Sequence, residues 1–122
     1  MMTMYEQIGG HETLRVVVVV FYRRVLRDPL LAPLFEGFDL ARLRAHQAAF
    51  LGAVLDGPHV FTGRSMRRAH AGLGVTTDAF DALIAHLAAS LVDAGVTAAA
   101  ASRLTDAAES FRSAIVTAAD QP

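Results

Sequence analysis

Apolar residues recur along most of this chain at the spacing of an α-helix rather than that of a strand. Over residues 11–27, Leu14, Val17, Val18, Phe21, Tyr22 and Val25 follow i, i+3, i+4, i+7, i+8 and i+11, one face of an amphipathic helix. The same stretch holds five successive valines, residues 16–20, whose intrinsic preference is for strand. The period decides for helix, because no turn residue interrupts 11–27 and a lone strand in a helical chain would have no partner. Ahead of it, Tyr5 and Ile8 fit at most one turn, closed by Gly9-Gly10. Asp28-Pro29 breaks the long helix, and Pro33 lies four residues on, so residues 30–35 allow only a short helical turn. The product is an apolar corner in which Phe35 and Phe38 bracket Gly37.

Asp39 offers an N-cap for a second long helix running to about Leu55. Its apolar members Leu40, Leu43, Phe50, Leu51, Val54 and Leu55 fall within an arc of about 140°, with Gln47 near the middle of that arc. Asp56-Gly57-Pro58 ends it, and a loop through Gly63 leads to a short helix expected to begin at Ser65 as N-cap. Gly72 and Gly74 can supply the positive φ that ends a helix, so only about two turns fit, with Met66 one turn before His70 on the same face. Thr76, Thr77 and Asp78 cap a further helix, in which Phe80, Leu83, Ile84, Leu87 and Leu91 repeat the pattern up to Gly95. Thr97 starts the last, where Leu104, Ala107, Ala108, Phe111 and Ile115 carry it to the C-terminus. The expected architecture is one all-α domain over residues 1–122, without internal repeats.

Composition removes several kinds of chemistry. With 53% hydrophobic and 19% charged residues, a chain of 122 residues can bury a core and is not disordered. Eleven Lys plus Arg against twelve Asp plus Glu give a net charge of -1, with no general attraction to nucleic acid or to an anionic membrane. The absence of cysteine excludes disulfides, iron-sulfur clusters, thiolate-ligated haem and cysteine nucleophiles. The apolar run 16–22 is too short to span a bilayer and the first ten residues lack a basic region leading into an apolar one, so a cytoplasmic protein is expected. Glu-x-x-His occurs nowhere, which sets aside a bundle-type dinuclear metal enzyme.

The chemistry-bearing side chains lie on the inward faces. His70, placed where its helix stops and behind the soft thioether of Met66, has the character of a haem ligand, though a loop histidine at the surface is the plainer reading of that residue alone. Gln47 is either an amide bonded to nearby backbone or a donor aimed at a buried ligand. Tyr22 lies on the inward face of another helix, so phenol and amide can satisfy each other or both point at a polar diatomic ligand. With Phe35 they describe an apolar pocket holding one metal ligand and two hydrogen-bond donors. His11 and His59 are expected in solvent, and His86 in a packing or surface role.

Six segments in order carry a family resemblance. They are Tyr5-Glu6-Gln7-Ile8-Gly9-Gly10, Phe21-Tyr22-Arg23-Arg24-Val25-Leu26, Phe35-Glu36-Gly37, Arg44-Ala45-His46-Gln47-Ala48-Ala49-Phe50-Leu51, Gly57-Pro58 and Met66-Arg67-Arg68-Ala69-His70. Through them the chain resembles the truncated haemoglobins, most closely their group I. The resemblance implies a globin reduced to a two-over-two helical sandwich around haem b, with His70 as proximal iron ligand. By the same matching Tyr22 and Gln47 are the distal tyrosine and glutamine, Phe35 packs against the haem, and Leu43, Phe50, Leu51, Met66 and Val75 complete its apolar contacts. Leu43 stands where many globins place a histidine or glutamine. No histidine follows His86, so the covalent attachment to a haem vinyl found in some cyanobacterial relatives is not expected, and the protoheme should be held noncovalently.

His46 falls about 40° beyond Phe50, at the border of the buried face. Cyanobacterial relatives use a histidine at the matching position as a sixth iron ligand; a haem propionate or water is the other partner open to it. Arg42, Arg44, Arg67 and Arg68 flank the same segments as propionate partners or as a solvated face. The resemblance implies reversible binding of dioxygen, carbon monoxide and nitric oxide, and nitric oxide dioxygenation fed by an external reductase that no residue identifies. A gas or redox sensor with histidine hexacoordination, and a haem-free helical interaction module, are the alternatives, since globin-like folds host several functions.

Overall fold

A computed structural model of the chain describes residues 2–55 and 63–117, and these are all helix and connecting turns. Helix α1 spans Met4–Gln7, α2 Gly10–Arg27, α3 Leu40–Val54, α4 Gly63–His70, α5 Thr77–Asp93, α6 Ala98–Ser110 and α7 Arg112–Ile115, with a 3-10 turn at Ala32–Phe35 between α2 and α3. The expected all-α architecture is what forms. Helices α2 and α3 pack together, α5 packs on α6, and α2 against α5 joins the two pairs into a two-over-two sandwich. No helix among the described residues is long and apolar enough to cross a membrane.

The six α2 positions picked out by helical spacing are its six buried residues, so burial of that face holds the valine run in a helix against its strand preference. The opposite edge of the run reaches water, with Val16 43% exposed. Caps fix the other boundaries. Thr3 and Glu6 form a capping box on α1, Asp39 accepts the N–H groups of Ala41 and Arg42, Thr76 accepts that of Ala79, and Thr97 that of Ala100. The first turn docks by the Tyr5 N–H donating to the Leu55 carbonyl at 3.1 Å. Its ring lies where a Cβ on Gly52 would come within 3.2 Å of it, so a glycine in α3 admits α1 to the core. His86 takes a packing role: its Nε2 donates to Asp28 Oδ2 at 2.8 Å, clasping the end of α2 to α5. That hydrogen bond, with the Leu30 N–H, holds the Asp28 carboxyl below its ordinary range.

Two boundaries differ from the sequence expectation. Helix α4 begins at Gly63, so Ser65 lies inside its first turn rather than capping it. The last helix does not run unbroken: it stops at Ser110 and resumes as α7. The Ser110 hydroxyl donates to the Ala107 carbonyl at 2.6 Å, occupying the acceptor that the Phe111 N–H would use, and that N–H goes to Ala108 at 3.1 Å instead. The resulting bend turns α7 onto α4, where the Thr117 N–H donates to the Val75 carbonyl at 3.0 Å. The expected stop at residues 56–58 and His59 lie outside the described residues.

Candidate functional site

The helices enclose an apolar cavity of about 290 Å³. Phe21 and Tyr22 reach it from α2, Leu43, His46, Gln47, Phe50 and Leu51 from α3, and Met66, Ala69 and His70 from α4. Phe35 and Val75 line it from the intervening turns, so the iron-ligand, distal and apolar-contact residues expected from the sequence all border one space.

Gly72, at φ 78°, and Gly74, at φ 71°, turn the chain back after α4 and leave His70 at the helix end. Its Nδ1 is 2.8 Å from the Met66 carbonyl oxygen one turn earlier. A carbonyl can only accept, so Nδ1 carries the proton and donates it, and Nε2 keeps its lone pair for a metal. Among the described residues no group of three His, Asp or Glu side chains converges on a metal site. One free imidazole nitrogen on the inner face of α4, with the His46 ring exposed on α3, suits a metal that brings its other ligands with it, as iron in a macrocycle does.

Two further polar groups, Gln47 and Tyr22, reach this apolar space. Gln47 Oε1 is buried and has no hydrogen-bond partner among the described residues. An unpartnered buried amide costs roughly 1–3 kcal/mol, a cost a hydrogen-bonding ligand in the cavity would remove. A half-turn of χ3 exchanges Oε1 for the Nε2 donor at that position. Tyr22 is 7% exposed and its ring is clamped edge-on, with centroids 5.1 Å from Phe21 and 5.6 Å from Phe35. Burial pushes its hydroxyl up to about 12, against the opposing pull of the Arg44 charge, so it is a neutral donor at any physiological pH.

A bacterial-like globin family model matches residues 3–117. The group 1 truncated hemoglobin of Nostoc sp. (strain MUN 8820) is 38% identical over 116 residues, 95% of this chain and 98% of the relative. That of Mycolicibacterium paratuberculosis is 46% identical over 94 residues, 77% and 69% of the two chains. The crystal structure of the Fe(III) form of Tetrahymena pyriformis truncated hemoglobin superposes with a TM-score of 0.82 at 33% identity, covering 94% of this chain and 98% of that one. The chain belongs to the group 1 truncated haemoglobins.

Globin membership accounts for an apolar space of this shape and implies haem within it. In this truncated haemoglobin the cavity also takes Leu34 and Phe38 from the turn after α2, Phe80, Leu83, Ile84 and Leu87 from α5, and Phe111 and Ile115 from the last two helices. Core packing explains these apolar side chains equally well, so nothing in the sequence marks them as site residues. The signal that could have marked Phe111 is its pairing with Phe50, centroids 5.7 Å apart, which needs the bend at Ser110. His46 borders the cavity while remaining exposed, and Arg42, Arg44, Arg67 and Arg68 do not line it.

Burial of Tyr22 has a consequence at alkaline pH. The folded value lies above the ordinary value of 10, so the stabilisation is complete below pH 10 and is lost as pH rises towards the folded value of about 12. The difference is worth roughly 3 kcal/mol at its limit. The chain has no lysine and no cysteine, which leaves few competing titrations in that window. Urea midpoints followed between about pH 10 and 12 are expected to fall more steeply in the wild type than in Tyr22→Phe; parallel curves would place the phenol in contact with water.

Proposed function

We propose that this truncated haemoglobin holds protoheme b noncovalently through His70 and reversibly binds dioxygen, carbon monoxide and nitric oxide. The observation that carries the reading is the buried, unpartnered Gln47 Oε1, which shares with Tyr22 the apolar cavity that the free Nε2 of His70 also borders. When bound, protoheme supplies an iron that takes up diatomic gases and exchanges single electrons. The chain's residues do the rest. Met66 fixes the His70 tautomer through its carbonyl. Tyr22 and Gln47 donate hydrogen bonds to a polar diatomic ligand, and the apolar walls, Phe35, Leu43, Phe50, Leu51 and Val75 among them, keep water from it.

Retention of dioxygen by those donors also supports nitric oxide dioxygenation. Nitric oxide, dioxygen and one electron give nitrate, with the electron drawn from an external reductase. A cytoplasmic site of action, where such donors are at hand, accompanies this reading.

His46 is a candidate sixth ligand, because it borders the cavity one residue before Gln47 while its side chain is exposed. Reaching the cavity centre would take a rotation or inward shift of α3, so an open form would compete with a closed one, and a closed form favoured by about 1.4 kcal/mol would lower apparent gas affinity tenfold. Absorption spectra of the purified protein test both statements. A Soret band that shifts on reduction and again with carbon monoxide is expected, extractable into acid acetone as free protoheme. A low-spin fraction in the gas-free ferrous protein is expected to vanish in His46→Leu. A colourless protein that takes up no added haemin would overturn the reading, and a wholly high-spin wild type would return His46 to a surface role.

A further inference from the structure

The helix bearing His70 presents two faces of different chemistry. Met66, Ala69 and His70 line the cavity, whereas Arg64, Arg67 and Arg68, at i, i+3 and i+4, are all exposed. At 100° per residue the two sets are centred roughly 160° apart, so the arginines form a stripe on the outer side of α4. None of the three makes an ion pair among the described residues, although Arg15, Arg24 and Arg112 each have a carboxylate partner. The helix dipole favours Arg67 and Arg68 in the last turn of α4, but it opposes Arg64 in the first. Helix stability therefore accounts for Arg67 and Arg68 but not for Arg64.

The charge is also segregated over the molecule. Helices α3 and α4, which carry Gln47 and His70, contain five arginines and no acidic residue, in a chain of net charge -1. Five of the twelve acidic side chains, Asp78, Asp81, Asp93, Asp106 and Glu109, lie on α5 and α6, which carry one arginine, Arg103.

We propose that the Arg64, Arg67 and Arg68 stripe is the docking surface for an acidic, electron-donating protein. The proposal rests on the haem reading above and supplies the partner that reading lacks. Guanidinium groups suit carboxylate clusters because they pair with them bidentately and are weakly hydrated. A membrane partner is disfavoured, because that face of α4 carries no apolar side chain to insert, a single-stranded nucleic acid by the absence of an aromatic side chain there to stack on, and a duplex by the chain's net charge of -1, which gives no general attraction to phosphates. A donor seated there is separated from the cavity by the thickness of one helix, about 10 Å. Complementary charge would raise the encounter rate at low salt and lose that advantage as salt screens it.

The test uses an acidic, FMN-containing flavodoxin as probe. Titrated into the carbon monoxide form of the 15N-labelled holoprotein, it is expected to shift the amide resonances of α4 at low salt and not at 0.5 M NaCl. Stopped-flow reduction of the ferric holoprotein by photoreduced flavodoxin is expected to slow at least ~10-fold in the triple variant R64E/R67E/R68E. Reduction by neutral photoreduced lumiflavin should stay within about twofold in the same variant, since no charge steers it. Should charge reversal unfold α4, the glutamine set R64Q/R67Q/R68Q is expected to slow the flavodoxin reaction about threefold or more. Equal flavodoxin rates in variant and wild type, shifts confined to other helices, or stronger α4 shifts with duplex DNA or phosphatidylserine vesicles would overturn the surface. Haem uptake is read separately from the Soret band: its absence overturns both readings, whereas a haem-loaded protein whose α4 resonances stay still overturns only this one.

Discussion

Replacing His70 with alanine is expected to leave a folded protein that no longer retains haem. The other polar side chains on the cavity are hydrogen-bonding groups, and His46 reaches it from an exposed position on α3. Loss of a partner that merely orients a metal ligand typically costs 10- to 100-fold in affinity, so loss of the ligand itself should exceed ~100-fold. The Nδ1 contact to Met66 disappears with the ring, but α4 keeps its backbone bonds and its glycine turn, so helix content should hold. Transfer of haem to excess apomyoglobin, followed at the Soret band, measures the effect. A variant that gives up haem no faster than wild type would remove His70 from the iron.

The second large effect is expected at Tyr22. Phenylalanine keeps the ring between Phe21 and Phe35 and removes the hydroxyl alone, so packing is disturbed little. A hydrogen bond to a partly charged oxygen is worth roughly 1.5–3 kcal/mol, which predicts dioxygen release about 10- to 150-fold faster. Gln47→Leu should act in the same direction and also remove the buried, unpartnered Oε1, so its thermal stability in the haem-free state is expected to rise rather than fall. Carbon monoxide, a poor acceptor, should respond far less to either change. Stopped-flow release rates identical in both variants and wild type would mean that neither group donates to the ligand.

Much of this architecture could be read directly from residue spacing, and the reason is the steepness of burial. In α2 the six periodic positions are the six buried ones, because a helix that must cover both α3 and α5 cannot rotate without exposing them. Caps at Asp39, Thr76 and Thr97 were legible for a similarly local reason: each side chain bonds an amide two or three residues away. The bend at Ser110 was not legible, since it depends on one hydroxyl choosing its own helix as acceptor. Nor is the start of α4 legible, because Ser65 is a good cap in isolation while the helix already begins at Gly63.

The site divided along the same line. Tyr22 and Gln47 stood out as polar residues on apolar arcs, which needs only the helical period. Phe80, Leu83, Ile84 and Leu87 line the cavity equally well but carry no polar atom to distinguish a wall from a core. The two roles of α4 became separable only when Arg64, Arg67 and Arg68 could be set against Met66, Ala69 and His70 on one helical wheel.

The valine run of α2 carries a hazard that the folded protein contains. Residues 16–21 are six uncharged, β-favouring side chains in succession, the composition of a segment that stacks into cross-β fibrils once its backbone is released. Folding sequesters those amides in helix hydrogen bonds and buries Val17, Val18 and Phe21. Arg15 on one side and Arg23 and Arg24 on the other act as gatekeepers, placing like charges at both ends of any in-register stack. Whatever holds α2 in place, the Tyr5 turn, the Asp28–His86 clasp or a cofactor against Tyr22, therefore protects the chain from self-assembly as well as shaping its site.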